Sequence, residues 1–191
     1  MPRCFVAVDI NDRVRQKLRA AQEAMRPFGE ALRFPDPAGI HVTLKFLGSV
    51  EEGIVPRVQE SLRGCASGGA FEFHIRRLGA FPRLETPRVV WAGIEPQDAL
   101  TRLYLQVEKA LAWQGPVEAR EFHPHITLAR VHHRQGRRGR SGALESLVEY
   151  IRVHGGGFEA GPVCAAQFEL YESVLLPAGA RYRKLASFSL Q

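Results

Sequence analysis

The chain has few cysteines and none of the short motifs that build common cofactor sites. Its 191 residues contain three cysteines, Cys4, Cys65 and Cys164, and none of them forms a C-x-x-C pair. An odd number of widely spaced thiols argues against a disulfide framework and against a cysteine-based metal site, so we expect reduced thiols in a cytoplasmic protein. Glycine motifs of the Walker or dinucleotide-binding type are also missing. The sequence therefore predicts no bound cofactor.

Long apolar runs are missing as well. The first apolar stretch, residues 4–10, contains Asp9 and is too short for a signal peptide or a membrane span. We therefore expect a soluble protein with no membrane partner. We also expect a monomer. Lysine and arginine together number 26 against 20 acidic residues, and the isoelectric point is about 9.6. This balance suits an anionic partner, although a protein can also be merely basic.

Apolar periodicity divides the chain into alternating strands and helices. Asn11 or Asp12 is expected to cap the first helix, and Gly48 is expected to end the second strand. The predicted strands cover 4–10, 39–48, 71–81, 88–94, 123–130, 166–175 and 181–188, and the predicted helices cover about 14–25, 51–65, 100–111 and 144–151.

The order of these elements repeats along the chain. "FVAVDI" and "VVWAGI" begin 84 residues apart, His41 and His125 are also 84 apart, and "SGGAFE" is matched by "HGGGFE" 87 residues later. A strand–helix–strand–helix–strand unit used twice predicts an internal duplication, although short elements can also resemble one another by chance. We expect one α+β domain over residues 1–191, with two lobes related by a pseudo-twofold axis. Each lobe is expected to be an antiparallel sheet with helices on its outer face, and a cleft between the lobes is the predicted active site.

Two strands carry the same H-x-T pattern, in "HVTLKF" and "HITLAR". Side chains two residues apart in a strand point to the same face. His41 therefore shares a face with Thr43, and His125 shares a face with Thr127. The alternate apolar residues, Phe46 among them, are expected to face the helices. Since unpaired polar groups are costly to bury, the histidines and threonines should line the cleft.

Two histidines beside two threonines suit the cleavage of a phosphodiester. One imidazole can accept a proton while the other donates one, since both titrate near neutral pH. Threonine hydroxyls can donate hydrogen bonds to anionic oxygens. This set of side chains provides acid, base and oxyanion contacts without a metal ion.

Several segments together resemble one known family. "HVTLKFLG", "HITLAR", "FVAVDI", "FPRLETPRVVWAGI" and "LYESVL" resemble the two-histidine (2H) phosphoesterase superfamily. Within it, the chain is similar to the RNA 2′,3′-cyclic phosphodiesterases, also called 2′-5′ RNA ligases. The resemblance runs from residue 3 to residue 188, and the paired H-x-T motifs are its most specific part.

The resemblance implies an activity and a role for each motif residue. The expected reaction is metal-independent hydrolysis of an RNA-terminal 2′,3′-cyclic phosphate to a 2′-phosphate, so the expected partner is RNA that carries such an end. His41 would protonate the departing 3′ oxygen and His125 would activate water, while Thr43 and Thr127 would hold the phosphoryl oxygens. The family also joins RNA ends through 2′-5′ bonds, by the same proton transfers in reverse and without ATP.

Arg130 follows the second motif where the family often has an arginine that binds phosphate. Strict alternation places Arg130 on the face opposite His125, because the two are five residues apart. A bend or a strand end near Ala129 is needed to bring the guanidinium to the cleft. Arg130 is therefore a predicted phosphate ligand that requires an irregular strand.

The remaining candidates are weaker. Residues 130–140 hold five arginines and no acid, which fits either an arm that grips RNA phosphates or an exposed loop without a specific role. A zinc site is disfavoured because the spacing is not standard and no cysteine is near; its ligands would come from His123, His125, His132 and His133. His74 is expected to be solvated, His154 to end a helix, and Trp91 with the phenylalanines to lie in the core.

Two other functions remain open from the sequence. The same cleft could act on a small cyclic nucleotide such as ADP-ribose 1″,2″-cyclic phosphate. Alternatively, the chain could be a non-catalytic module that binds RNA or nucleotides. Comparing turnover of an oligonucleotide and of a mononucleotide, each with a cyclic phosphate, distinguishes the RNA enzyme from an enzyme of small nucleotides. Loss of activity in histidine variants distinguishes an enzyme from a non-catalytic binding module.

Overall fold

A computed structural model describes residues 1–29, 32–65, 68–115, 121–131, 142–176 and 179–190. These residues form two antiparallel β-sheets with α-helices packed against them. The strands are β1 Arg3–Val8, β2 Leu32–Arg33, β3 Val42–Ser49, β4 Phe71–Phe81, β5 Val89–Glu95, β6 His125–Val131, β7 Glu159–Ala165, β8 Gln167–Leu176 and β9 Gly179–Ser189. The helices are α1 Asp12–Met25, α2 Val55–Arg63, α3 Asp98–Ala110 and α4 Gly142–His154.

Helix α1 shows how the sequence sets an element locally. Asn11 is its cap, because the Asn11 side-chain oxygen accepts a hydrogen bond from the Val14 amide at 2.9 Å. The apolar positions of α1 recur at helical spacing and are buried: Val14, Leu18, Ala21 and Met25. The predicted second helix is shorter than expected, since residues 52–54 form a 3₁₀ turn before α2 begins.

The two sheets exchange strands between the halves of the chain. The first sheet has the order β3-β1-β8-β9 and the second has the order β2-β6-β5-β4-β7. We expected each repeat to build its own lobe, but β4 lies in the sheet that holds β5 and β6. A short connection joins β4 to β5 as an antiparallel pair, and neighbouring strands joined this way normally pair. The α+β fold with two lobes is confirmed, and the duplication stays a prediction.

Two of the helices also pack on strands from the other half of the chain. Helix α1 contacts β6 and β7 of the second sheet, and α3 contacts β3 of the first. The inward faces of both sheets and the apolar faces of the helices bury a common core. Each sheet has one face on this core, which leaves its other face for the cleft.

Two further observations bear on the expectations from composition. Among the described residues, no helix has the length and apolarity needed to cross a membrane. The three cysteines are free, with Cys4 and Cys65 buried and Cys164 exposed. Burial raises the pKa of the Cys65 thiol to about 11, so this sulfur stays protonated and packs as a small apolar group.

Candidate active site

The two motif histidines lie at the start of corresponding strands and line one cavity. His41 directly precedes β3, and His125 is the first residue of β6. A cavity of about 500 Å³ lies where the two sheets face each other, and both histidines line it together with Thr43, Thr127 and Arg130. Strands β3 and β6 also contact each other, although they belong to different sheets.

Each histidine is fixed by the backbone two residues before it. The Nδ1 atom of His41 lies 2.7 Å from the carbonyl oxygen of Gly39, and Nδ1 of His125 lies 2.8 Å from that of His123. A carbonyl oxygen only accepts hydrogen bonds, so Nδ1 carries the proton and donates in both rings. The Nε2 atom of each ring is therefore the nitrogen that remains to exchange a proton with a ligand.

Aromatic side chains enclose the two rings unequally. The His41 ring stacks on Phe5 with centroids 4.7 Å apart, and Tyr182 meets it edge-on at 5.3 Å. The His125 ring has an edge contact with Phe81 at 5.0 Å. These contacts restrict ring rotation, and they make the surroundings of His41 the more apolar of the two.

The pKa of each histidine is lower than usual. Burial is the largest cause for His41; the Gly39 carbonyl and Asp9 act against it, while Arg15 lowers the pKa further. Burial also lowers the pKa of His125, with the bond to the His123 carbonyl opposing it and the charges of Arg130 and His123 adding to it. Both rings are thus neutral at pH 7 when no anion is bound.

A β-bulge in β3 changes which residues face the cleft. Thr43 pairs with Ala7 of β1, but Lys45 pairs with Val6, so Leu44 is an extra residue in the ladder. The bulge turns two successive residues inward, and Phe46 then points to the cleft with 60% of its surface exposed. The expectation that Phe46 faces the core is wrong, because strict alternation does not continue through a bulge.

An equivalent bulge occurs in β6. Thr127 pairs with Trp91 of β5 and Ala129 pairs with Val90, so Leu128 is the extra residue. Leu128 and Ala129 are both buried, and Arg130 returns to the face that carries His125. This irregularity near Ala129 is what the predicted role of Arg130 required.

A buried ion pair supports the first bulge, and no sequence pattern predicts it. The Nζ atom of Lys45 lies 2.7 Å from Oε1 of Glu108 on α3, and the two side chains are 9% and 5% exposed. A lysine in a strand is usually exposed, and only the bulge turns this one inward. The corresponding residue of β6, Ala129, needs no partner.

The other candidate residues occupy less informative positions. His74 lies 3.4 Å from Glu159 beside Arg76, and His154 ends α4 against the ring of Tyr150. Trp91 was expected in the core, and this expectation is wrong. Trp91 lies on the same side of the sheet as Thr127, its partner across the ladder.

Most residues of the predicted RNA arm, and two of the candidate zinc ligands, fall outside the described part of the chain. Residues 132–141, which carry most of the basic loop with His132 and His133, lie outside the described residues. Within the described part of the chain, no group of three histidine, cysteine or acidic side chains is placed to hold a metal ion. His123 instead lies 3.7 Å from Glu121.

Comparison with known proteins identifies the family. A family model described as LigT-like phosphoesterase matches residues 8–91 and 93–182, and each matched segment contains one H-x-T motif. The chain belongs to the LigT-like phosphoesterase family. The resemblance read from the motifs to the 2H phosphoesterases is thereby confirmed.

Relatives of this LigT-like phosphoesterase match over nearly its whole length. It is 31% identical to an RNA 2′,3′-cyclic phosphodiesterase of Methanothermobacter thermautotrophicus, with 98% of both chains covered. A protein of the same name from Thermotoga maritima is 31% identical over 96% of this chain and 92% of its own. The structure of E. coli LigT complexed with 3′-AMP superposes with a TM-score of 0.77 at 26% identity, covering 100% of this chain and 98% of the other.

Proposed function

We propose that this LigT-like phosphoesterase hydrolyses the 2′,3′-cyclic phosphate at the end of an RNA chain to a 2′-phosphate. One observation carries the proposal. Two histidines, each with Nδ1 bound to a backbone carbonyl, line a single cavity with two threonines and an arginine. The names of the relatives from Methanothermobacter and Thermotoga support the same substrate.

In the proposed step, His125 acts as the base and His41 as the acid. Nε2 of neutral His125 accepts a proton from water as the water oxygen bonds to phosphorus. The bond between phosphorus and the 3′ oxygen breaks, and Nε2–H of protonated His41 donates its proton to that oxygen. The product keeps phosphate on the 2′ oxygen, and the two histidines end with the proton moved from one ring to the other.

The neighbouring polar groups suit the charge of the substrate. The hydroxyls of Thr43 and Thr127 donate to non-bridging oxygens, and Arg130 supplies a fixed positive charge. The free protein holds both rings neutral, so a proton must enter the pair before catalysis. A bound phosphate anion favours this, because a negative charge close to an imidazole raises its pKa.

Phe46 is proposed to contact the base of the terminal nucleotide. Its ring is exposed on the cleft face, where an apolar side chain gains nothing unless a ligand covers it. Stacking of a base on an aromatic ring is favourable for every base and so tolerates sequence. The cleft would then hold phosphate at Arg130 and the base at Phe46.

The same groups can run the reaction towards joining. If the 5′ hydroxyl of a second RNA end replaces water as the nucleophile, His125 accepts its proton while its oxygen bonds to phosphorus. The bond from phosphorus to the 3′ oxygen breaks and His41 protonates that oxygen, so a 2′-5′ bond forms and no activated donor is needed. Reversible 2′-5′ ligation is therefore proposed as a second outcome at the same site. It requires only that the cleft admit the second RNA end.

The deciding experiment is product analysis with RNA that ends in a 2′,3′-cyclic phosphate. We expect a 2′-phosphate, with activity retained in EDTA; a 3′-phosphate would overturn the assigned acid and base. Loss of activity in EDTA would favour a metal site. Faster turnover of a cyclic mononucleotide would favour a small-nucleotide substrate, and RNA binding without turnover would favour a non-catalytic module.

A further inference from the structure

Helix α1 reaches both histidine strands through two polar side chains. Arg15 and Gln22 are seven residues apart, which is about two helical turns, so they lie on the same side of α1. Arg15 contacts the segment that leads into His41, and Gln22 contacts the bulge of β6. Neither side chain lines the cavity that holds the histidines. The helix therefore contacts the backbone that carries the site residues, on the side away from the cavity.

The guanidinium of Arg15 gathers four backbone carbonyls around the turn before His41. Its Nη1 atom donates to the oxygens of Pro37, Ala38 and Ile40 at 3.1, 3.1 and 2.9 Å, and Nη2 donates to that of Ile10 at 3.1 Å. The residue enclosed by these contacts is Gly39, whose own carbonyl accepts from His41. Since the guanidinium is a rigid fork of donors, it holds the turn in one conformation.

Tyr182 limits the same turn from the other side. A Cβ atom at Gly39 would come within 2.8 Å of the Tyr182 ring, so only glycine fits without displacing it. The Tyr182 ring also meets His41 edge-on. The orientation of the His41 ring thus depends on a turn that is packed between Arg15 and an aromatic side chain.

Gln22 plays the matching part in the other sheet. Its side chain is 2% exposed, and Nε2 donates to the carbonyl oxygens of Leu128 at 3.0 Å and Pro35 at 3.1 Å. Leu128 is the extra residue of the β6 bulge, where the ladder is interrupted. A buried carbonyl without a partner is costly, so the amide of Gln22 stabilises the bulge that turns Arg130 to the cleft.

We propose that Arg15 and Gln22 are positioning residues of the phosphoesterase site, Arg15 for His41 and Gln22 for Arg130. The inference rests on the proposed function, since it assigns His41 to leaving-group protonation and Arg130 to phosphate binding. Helix α1 then sets both sides of the cleft from one rigid element. The two contacts have separable consequences, because one serves a proton transfer and the other serves binding.

The first test is Arg15→Met, assayed on two substrates. With the natural cyclic phosphate, we expect kcat to fall about 10- to 100-fold from misplacement of His41, with KM nearly unchanged. With a cyclic phosphate that carries sulfur in place of the 3′ oxygen, the loss should largely disappear, because a thiolate leaves without a proton. Arg15→Lys, which keeps the charge without the fork, should behave in the same way.

Arg19→Met is the matched control, since Arg19 lies exposed on the same helix and its side chain makes no hydrogen bond to the described residues. It should leave both rates unchanged. An equal loss on both substrates, or no loss on either, would overturn the role of Arg15.

The second test is Gln22→Met, which keeps the length of the side chain and removes the donor. We expect KM to rise by a factor similar to that of Arg130→Gln, and the double variant to be little worse than either single variant. Gln16→Met, an exposed glutamine on the same helix, should leave KM unchanged. Additive effects of the two substitutions, or lowered stability with an unchanged KM, would overturn the role of Gln22.

Two measurements without turnover separate this inference from the proposed function. In ¹⁵N NMR spectra of the free protein, His41 should keep its proton on Nδ1, and Arg15→Met should mix the two tautomers. Inorganic phosphate should bind more weakly to the Gln22→Met protein. The tautomer change and the weaker phosphate binding, seen in a protein whose wild type does not hydrolyse the cyclic phosphate, would support the positioning roles and contradict the proposed function. If neither change occurs although the wild type is active, the positioning roles alone are wrong.

Discussion

The strands β3 and β6 use the same backbone device to present different side chains. Both begin at an H-x-T motif, and both carry a bulge at the residue after the threonine. The residue that the bulge turns to the cleft is Phe46 in one strand and Arg130 in the other. The same backbone irregularity thus places an apolar side chain in the cleft from β3 and a positively charged side chain from β6.

The surroundings of the two histidines also differ, being apolar around His41 and positively charged beside His125. His41 is enclosed by Phe5 and Tyr182, while His125 is bordered by the charge of Arg130. An acid in an apolar wall and a base beside a phosphate-binding cation fit the division of roles in the proposed reaction. Two strands with the same backbone irregularity can therefore carry different chemistry.

Removal of either histidine should lower activity most. His41→Ala and His125→Ala should each lower kcat by about 10²- to 10⁴-fold, since each removes one partner of the proton transfer. The measurement is initial rate on RNA with a cyclic-phosphate end, with circular dichroism to show that folding is intact. Full activity in either variant would contradict the assigned pair.

The buried ion pair behind the β3 bulge predicts a large effect on stability. Lys45→Met should lower the free energy of unfolding by about 3–5 kcal/mol, because it leaves the Glu108 carboxylate buried without its partner. Urea denaturation measures the change.

The matched control is the double variant Lys45→Met with Glu108→Met. It should recover most of the lost stability, since a buried pair can often be replaced by apolar side chains of similar volume. If the double variant is as unstable as the single one, the pair is not the reason for the loss.

The two cleft-facing residues after the bulges should fail in different ways. Arg130→Gln should weaken binding by about 1.5–3 kcal/mol for every cyclic phosphate, whatever the base, since it removes a charged donor to phosphate. Phe46→Ala should weaken binding by about 1–3 kcal/mol, and more for purines than for pyrimidines. KM values for substrates ending in each of the four bases measure both; an unchanged KM for all four bases in Phe46→Ala would exclude stacking.

The smallest effect is a shift of the pH profile. Burial lowers the pKa of both histidines below the usual 6.5, and Arg130 lowers that of His125 further. Catalysis needs one proton on the pair, so kcat/KM should be bell-shaped with its optimum below pH 6.5. Arg130→Gln should move the acidic limb to higher pH, because the His125 pKa rises when the positive charge is lost.

Phe46→Gln is the control for this shift, since it alters the equivalent residue of the other strand and removes no charge. Its profile should keep the wild-type limbs. An optimum above pH 6.5 in kcat/KM would show that the free protein does not hold its histidines as neutral as their burial implies.

Sequence periodicity predicted most of the elements, because periodicity is a local property. The buried positions of α1 and α3 are those at helical spacing, and β4 spans Phe71–Phe81 as expected. The 3₁₀ turn before α2 and the strands β2 and β7 are absent from the predicted elements. The turn and the two-residue strand β2 are too short to leave a periodic signal, and Gly161 and Pro162 interrupt the pattern of β7.

Two of the errors at the candidate site share one cause. Phe46 is expected in the core and Lys45 is not recognised as buried, because both follow the bulge of β3. Trp91 is a separate error, since its aromatic character suggests the core while the regular alternation of β5 places it on the same side as Thr127. Alternation predicts a face only while the ladder is regular, and the bulges are set by pairing with β1 and β5. The "LA" pair in "HITLAR" is a weak signal of two successive inward residues, but the "LK" pair in "HVTLKF" gives none.

Most of the helices and strands, and the shared face of each histidine with its threonine, follow from local periodicity, and the motifs carry the family resemblance. The pairing of β4 with β5, the bulges that bring Phe46 and Arg130 to the cleft, and the common cavity of both motifs are visible only in the folded protein. Local and long-range contacts account for this difference. Side-chain direction within a strand depends on neighbours in sequence. Each bulge depends on a pairing partner 36 residues away, Ala7 for Thr43 and Trp91 for Thr127, and the cavity joins motif histidines that are 84 residues apart.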